Sequence, residues 1–290
     1  MQFVVNGLVT GAAYALVALS FSVVFRVGRF FNFTHAAVFT WAGYFGYLCW
    51  TILGLSLWAG ALLSVCLSAV LGVLLELSVY MPLHRRRASG VVLLLVSLGL
   101  YTIMQNTISM LFGDEIKRLS GNTVAEGLSV WGARATRIQL AIVIICVVVF
   151  VAFGILLRLS PFGTRLRAVA DDPDLAAIQG VQVHRFRLAA SALGSGLAAV
   201  VSLLMGLDVG ITPTVGLNAL MMGVVAVIAG GVDSTPGIFL GGILLGLAQH
   251  LGVWKIGTQW QDAIAFAVLI LFLVLRPQGF FGKPLRKAAV

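Results

Sequence analysis

Apolar runs of about twenty residues recur along most of the chain, and no other feature limits its fold so strongly. They cover 3–25, 36–54, 57–80, 90–112, 138–157 and 188–207. A more irregular last third adds 217–231, 236–252 and 261–276. A run of that length crosses the hydrocarbon core of a bilayer as one helix. In lipid the backbone must satisfy its own hydrogen bonds, which leaves helices and closed barrels. The ten-residue alternation of a barrel strand is missing. The expectation is an all-α polytopic protein, one transmembrane domain over 1–290 with about eight or nine transmembrane helices. The count turns on 217–231, a short segment that either spans or re-enters.

Composition agrees. Charged residues make up 10% of the chain, against roughly 25% in soluble domains, too few to cover a water-facing surface. The 33 glycines suit closely packed membrane helices. The net charge of +9 would fit a nucleic-acid partner, but its distribution fits topology better. With nine crossings and the N-terminus outside, one side receives Arg26, Arg29, Arg85 to Arg87, Arg158, Arg165, Arg167, Arg185, Arg187, Arg276, Lys283, Arg286 and Lys287. The other receives Lys117, Arg118, Arg134, Arg137 and Lys255. A split of 14 against 5 places the first side, and the C-terminus, in the cytoplasm. No nucleic acid is then needed as a partner. The N-terminal apolar stretch lacks a basic leader region and is long enough to be a span. Cys49, Cys66 and Cys146 lie in apolar runs without ligand spacing, as packing residues do.

Two loops can hold structure of their own. The outer one, about 113–137, has turn-forming Gly and Asn and a lone Trp131. The inner one, 158–187, contains "RAVADDPDLAAIQGVQVHR", Arg167 to Arg185. Within it Asp172 suits an N-cap and Pro173 the first helical position. Asp171, Asp172 and Asp174 complement the positive end of the helix dipole. Leu175, Ala176, Ala177 and Ile178 form a small apolar turn with Leu175 and Ile178 on one face, and Gly180 fits the C′ position. A helix this short is marginal alone in water and needs a surface. That surface is either the chain's own membrane domain or a partner's cleft.

The chain has no GxxxxGK[ST] phosphate loop and no HExxH among His35, His84, His184 and His250. No Ser/His/Asp set can be assembled, so neither an enzyme nor a metal site is expected. Polar residues inside spans usually face a cavity or a partner helix. Here these are Asn6, Thr10, Gln105, Asn106, Asp208 and Asn218. The stretch "DVGITPTVGLNALMMG", Asp208 to Gly223, is broken by Gly and Pro, as transport-site helices are. The GxxxG pairs Gly7/Gly11, Gly237/Gly241 and Gly242/Gly246 read as packing faces. Glu76 reads as a structural pairing near the cytoplasmic boundary.

Four stretches resemble the permease subunits of bacterial ATP-binding-cassette importers of the branched-chain amino-acid type. They are Asn6 to Phe45, with Asn32, Phe33 and His35 as an NFxH element, and "ELSVYMPLHRRRASG", with Glu76, Tyr80, Pro82 and Leu83. The other two are the loop Arg167 to Arg185 and the tail "LRPQGFFGKP", Leu275 to Pro284. Where that family often continues NFxH with Gly-Glu, this chain has Ala36 and Ala37. The resemblance implies a multi-pass protein of the bacterial inner membrane. Its partners would be a second, homologous permease, two cytoplasmic ATPase subunits and a periplasmic binding protein. ATP would bind on the partner subunits and no cofactor on this chain. Asp172, Pro173, Asp174, Leu175, Ala176, Ala177, Ile178 and Gly180 would form the coupling helix in the ATPase cleft. The implied substrates are branched-chain amino acids; urea, short amides and other small polar solutes are alternatives within the same importer class. A stand-alone secondary transporter is the rival from another class, and it predicts ion pairs or relay carboxylates deep in the spans.

Overall fold

A computed structural model of the chain describes residues 1–119, 128–130, 133–276 and 278–281. The helices are α1 (Gln2–Gly28), α2 (Thr34–Tyr47), α3 (Leu57–Leu75), α4 (Met81–Arg85), α5 (Gly90–Phe112) and α6 (Arg137–Leu159). They continue as α7 (Pro161–Asp171), α8 (Pro173–Ile178), α9 (Val183–Asp208), α10 (Val215–Gly230), α11 (Thr235–Ile256) and α12 (Gln261–Leu275). Among the described residues seven stretches are long and apolar enough to cross a membrane: α1, Leu57–Arg85, α5, α6, α9, Thr235–Lys255 and Thr258–Leu275. The remaining two apolar segments are shorter. One is α2, prolonged by a π-turn over Leu48–Ile52, and the other is α10. The nine apolar runs of the sequence thus correspond to nine helical segments.

Local chemistry sets many of the ends. The hydroxyls of Ser89, Ser160 and Ser234 accept hydrogen bonds from Val92, Gly163 and Gly237 N–H, capping α5, α7 and α11. A second π-turn, Glu76–Tyr80, joins α3 to α4 without breaking the rod. The outer loop contains a two-stranded antiparallel hairpin, β1 (Leu128–Val130) with β2 (Ala133–Ala135). The Gln2 side chain holds Arg134 of that hairpin at both its N–H and its C=O, 2.9 Å each. Trp131 lies outside the described residues.

The backbone divides into two compact units. The first comprises Met1–Leu19, Ala125–Phe150 and Met221–Val290; the second comprises Ser20–Val124 and Val151–Leu220. In the first, the GxxxG pairs are faces between helices of the same chain. Gly7 and Gly11 of α1 meet Gly246, Leu247 and Ile243 of α11, while Gly237 and Gly241 meet Ala226 and Gly230 of α10. The tail folds back on α10, where Phe280 and Phe281 N–H donate to the Ala229 and Gly230 carbonyls. Gly279, at φ +73°, sits against Gly231, where a side chain would collide with backbone. The rest of the tail element, from Gly282, lies outside the described residues.

In the second unit α3 packs along α9, and α2 lies against α3, α5 and α9. Its contact face is a stripe at every fourth residue: Gly60, Ser64, Ser68 and Gly72, then Glu76 and Tyr80 across the π-turn. Small residues let helix axes approach closely, and that packing replaces the hydrophobic drive that lipid cannot supply.

A Cβ at Gly242 would lie 2.5 Å from the Ala15 backbone, whereas one at Gly99 meets open space. Gly242→Ala is expected to lower the thermal midpoint in detergent by an amount equivalent to about 1–3 kcal/mol. Gly99→Ala should leave the midpoint unchanged or raise it slightly.

Candidate functional site

The loop between α6 and α9 holds two helices. The sequence shows α8 through its caps, but it does not show α7. That helix starts at Ser160 with Pro161 at its first position and buries Gly163, Leu166 and Val169 on one face. Arg165 and Arg167 interrupt the apolar pattern in the sequence and leave α7 looking like loop. Phe162 stacks on Phe186 of α9 with ring centroids 5.4 Å apart. A further anchor is Arg29, which reads in the sequence only as a positive charge. Its guanidinium donates to the Ala170 carbonyl at 2.9 Å and to the Asp171 carbonyl. A cation on the last carbonyls of α7 satisfies acceptors that the helix leaves open.

Asp172 ends α7 and caps α8. Its Oδ1 accepts from the N–H groups of both Asp174 and Leu175, at 3.0 Å each. Pro173 occupies the first turn. Gly180, at φ +81°, turns the chain back toward α9, and Gly180 and Val181 N–H close on the Ala177 and Ala176 carbonyls. Only Ala176 is buried. Leu175 is 54% exposed and Ile178 83% exposed, and Asp174, Ala177 and Gly180 are also exposed. The helix is held by its caps and one alanine, and it presents two large apolar side chains outward.

In the same unit a buried polar cluster joins two of the stretches singled out in the sequence. Tyr80 Oη lies 2.6 Å from Thr34 Oγ1 and donates to Asn32 Oδ1 at 3.0 Å. Asn32 Oδ1 also accepts from Thr34 N–H at 3.0 Å, which fixes the start of α2. Ser97 of α5 completes the set: its Oγ accepts from Phe33 N–H at 3.1 Å and its carbonyl accepts from Thr34 Oγ1 at 3.0 Å. His35 Nε2 pairs with Ser20 Oγ at 3.1 Å. Glu76 is 6% exposed and accepts from Ser191 Oγ of α9 at 3.2 Å. That is the pairing expected for this carboxylate. A cavity of about 20 Å³ lies between Asn32, Thr34, His35, Tyr80, Ser191 and Ser195, about the space of one water molecule.

The polar residues proposed for a pathway are scattered within their units. In the first unit Asn6 Oδ1 accepts from Gln2 at 2.9 Å, and Thr10 Oγ1 pairs with His250 Nε2 at 2.9 Å. In the second, Asn106 is exposed and donates to the Thr102 carbonyl on its own helix at 2.8 Å. Gln105 and Asp208 are half-buried, and Asn218 is exposed. None of these six lines the small polar cavity, whose residues the sequence flags only as motif members or not at all. Among the described residues no group of His, Cys, Asp and Glu could hold a metal ion.

Residues 3–273 match the family described as the branched-chain amino acid transport system permease component. The chain belongs to that family. The permease is 30% identical over 298 residues to the high-affinity branched-chain amino acid transport system permease protein BraD of Pseudomonas aeruginosa, across 98% of this chain and 96% of that one. It is 29% identical over 297 residues to the corresponding LivH of Escherichia coli, with the same coverage. Its fold also resembles that of PsaBC from Streptococcus pneumoniae in complex with Fab, with a TM-score of 0.54 at 13% identity over 96% of this permease and 93% of that chain. For this permease, Tyr80→Phe removes the hydroxyl that joins Asn32 and Thr34. It is expected to lower stability by about 1–3 kcal/mol, read as a drop in thermal midpoint, while Tyr47→Phe serves as the neutral comparison.

Proposed function

We propose that this permease forms the membrane pathway of an importer that takes up branched-chain amino acids and is powered by ATPase subunits on separate chains. Membership in the permease family supports the reading, and the observation that carries the energy-transfer role is the exposed apolar face of α8. Leu175 and Ile178 are exposed in the isolated chain, and moving each from water into a partner's cleft would contribute about 1.5–3 kcal/mol. The chain has no phosphate loop in its sequence, so force must arrive from another subunit. The capped, outward-facing helix is the element suited to receive it.

The basic asymmetry of the loops supports an orientation in which α7, α8 and the C-terminus face the cytoplasm, where the ATPases of a bacterial inner-membrane importer would sit. A homologous second permease would complete the pathway, and a periplasmic binding protein would deliver ligand to the opposite face. ATP binding would close the ATPases, move α8, and through α7 and α9 switch the spans between inward and outward opening. Selectivity would then rest mainly on the binding protein.

Asp174→Arg combined with Leu175→Arg alters two exposed side chains and should leave the thermal midpoint near wild type. In proteoliposomes holding the full complex it is expected to reduce ligand-stimulated ATP hydrolysis and leucine uptake at least about tenfold, through loss of the docked contact. Unchanged stimulation would overturn the role of α8. Leucine transport by the chain alone, without ATPase subunits, would overturn the importer assignment.

A further inference from the structure

A second cavity in the same unit, of about 220 Å³, is lined by Met81, His84 and Arg85 of α4 and by Val183, His184 and Arg187 of α9. Four of these six side chains carry N–H donors, and none is acidic. Two buried nitrogens there lack hydrogen-bond partners, His84 Nε2 and Arg187 Nε, and the second is an N–H donor in every state. A buried donor left without an acceptor is unfavourable, and an anion entering the cavity would relieve it. His84 is otherwise held edge-on against Phe30, with centroids 5.9 Å apart. Among the described residues no carboxylate forms an ion pair with Arg187 within 4.0 Å; Glu76 and Asp174 act on it from farther away. The wall also includes the first turn of α9, where the Gln182 side chain makes no capping bond. Arg185 N–H closes on the Gln182 carbonyl at 3.0 Å, and the turn carries the positive end of the helix dipole.

The location narrows the ligand. The span Leu57–Arg85 ends at this cavity and the span Val183–Asp208 begins at it, so it opens where hydrocarbon gives way to headgroups. Arginine recognises phosphate oxygens with two parallel donors, and basic pockets between membrane helices take anionic headgroups. Met81 and Val183 supply an apolar border for the start of an acyl chain. We propose that this cavity binds the phosphate of an anionic phospholipid headgroup. The inference stands apart from the role assigned to α8 and does not depend on the transported substrate.

The test uses the full chain in phosphatidylcholine nanodiscs, with phosphatidylglycerol titrated in, and in a parallel series with inorganic phosphate added instead. Thermal midpoint and lipid retained in native mass spectrometry are the readouts. Arg85 and His184 are both exposed, so Arg85→Gln with His184→Gln keeps the fold. Phosphatidylglycerol should raise the wild-type midpoint, and the double variant should need about tenfold more lipid for half the shift. Arg158→Gln, an exposed cation at the end of α6, should respond as wild type. Arg187→Lys, which keeps a charge but loses the paired donors, should fall between. Equal responses in wild type and the double variant, or no response to phosphatidylglycerol, would overturn the site. A shift caused by inorganic phosphate in neutral nanodiscs, with none from phosphatidylglycerol, would overturn the lipid as its source.

Discussion

The second unit depends on one close approach, that of α3 to α9 at Gly72. A Cβ there would collide with Ser195 and come within 2.9 Å of the Ser191 carbonyl. Lipid tails are as apolar as leucine, so two membrane helices gain nothing by hiding greasy side chains from each other. They gain by dense contact, and dense contact requires small residues where the axes are nearest. Because Gly72 closes that gap, Glu76 one turn later reaches Ser191 and Tyr80 reaches the α1–α2 loop. The π-turn over Glu76–Tyr80 widens the helix where the stripe would otherwise drift off the α9 face. Such bulges concentrate at functional sites, and this one carries the unit's buried carboxylate.

The polar cluster around Asn32 follows from the same constraint. Polar atoms removed from water must find partners inside the protein. Asn32, Thr34, Tyr80 and Ser97 provide them for one another from three segments distant in sequence. The result is specific geometry more than net stability, because a hydrogen bond gained in folding replaces one lost to solvent. Glu76 is only half satisfied, since Oε1 has no hydrogen-bond partner although Oε2 does.

Those constraints also decide what the sequence reveals. Span positions are legible because length and apolarity are demanded residue by residue, and 90–112 coincides with α5 at both ends. The caps of α8 are legible because Asp172, Pro173 and Gly180 act within a few positions of themselves. α7 is not legible, because its buried face is three small or apolar residues among arginines and becomes a face only once α9 is beside it. The links from Tyr80 to Asn32 and from Glu76 to Ser191 join residues 48 and 115 positions apart. No local pattern encodes them; the four-residue stripe on α3 is the nearest available signal. Polarity inside a span marks a need for a partner without saying which, and Asn106 meets that need within its own helix.

α9 is an unbroken helix of 26 residues, about 39 Å long at 1.5 Å per residue. At one end stands the basic cavity with α7 and α8; Ser191 and Ser195 lie about a third and a half of the way along it. Just beyond its far end Ile211 pairs backbone to backbone with Lys117 at 2.9 Å in each direction. A rod of that stiffness does not absorb a push. Moved as a rigid body about its contact with Gly72, it would turn a tilt at Val183 into one of opposite sense at Asp208.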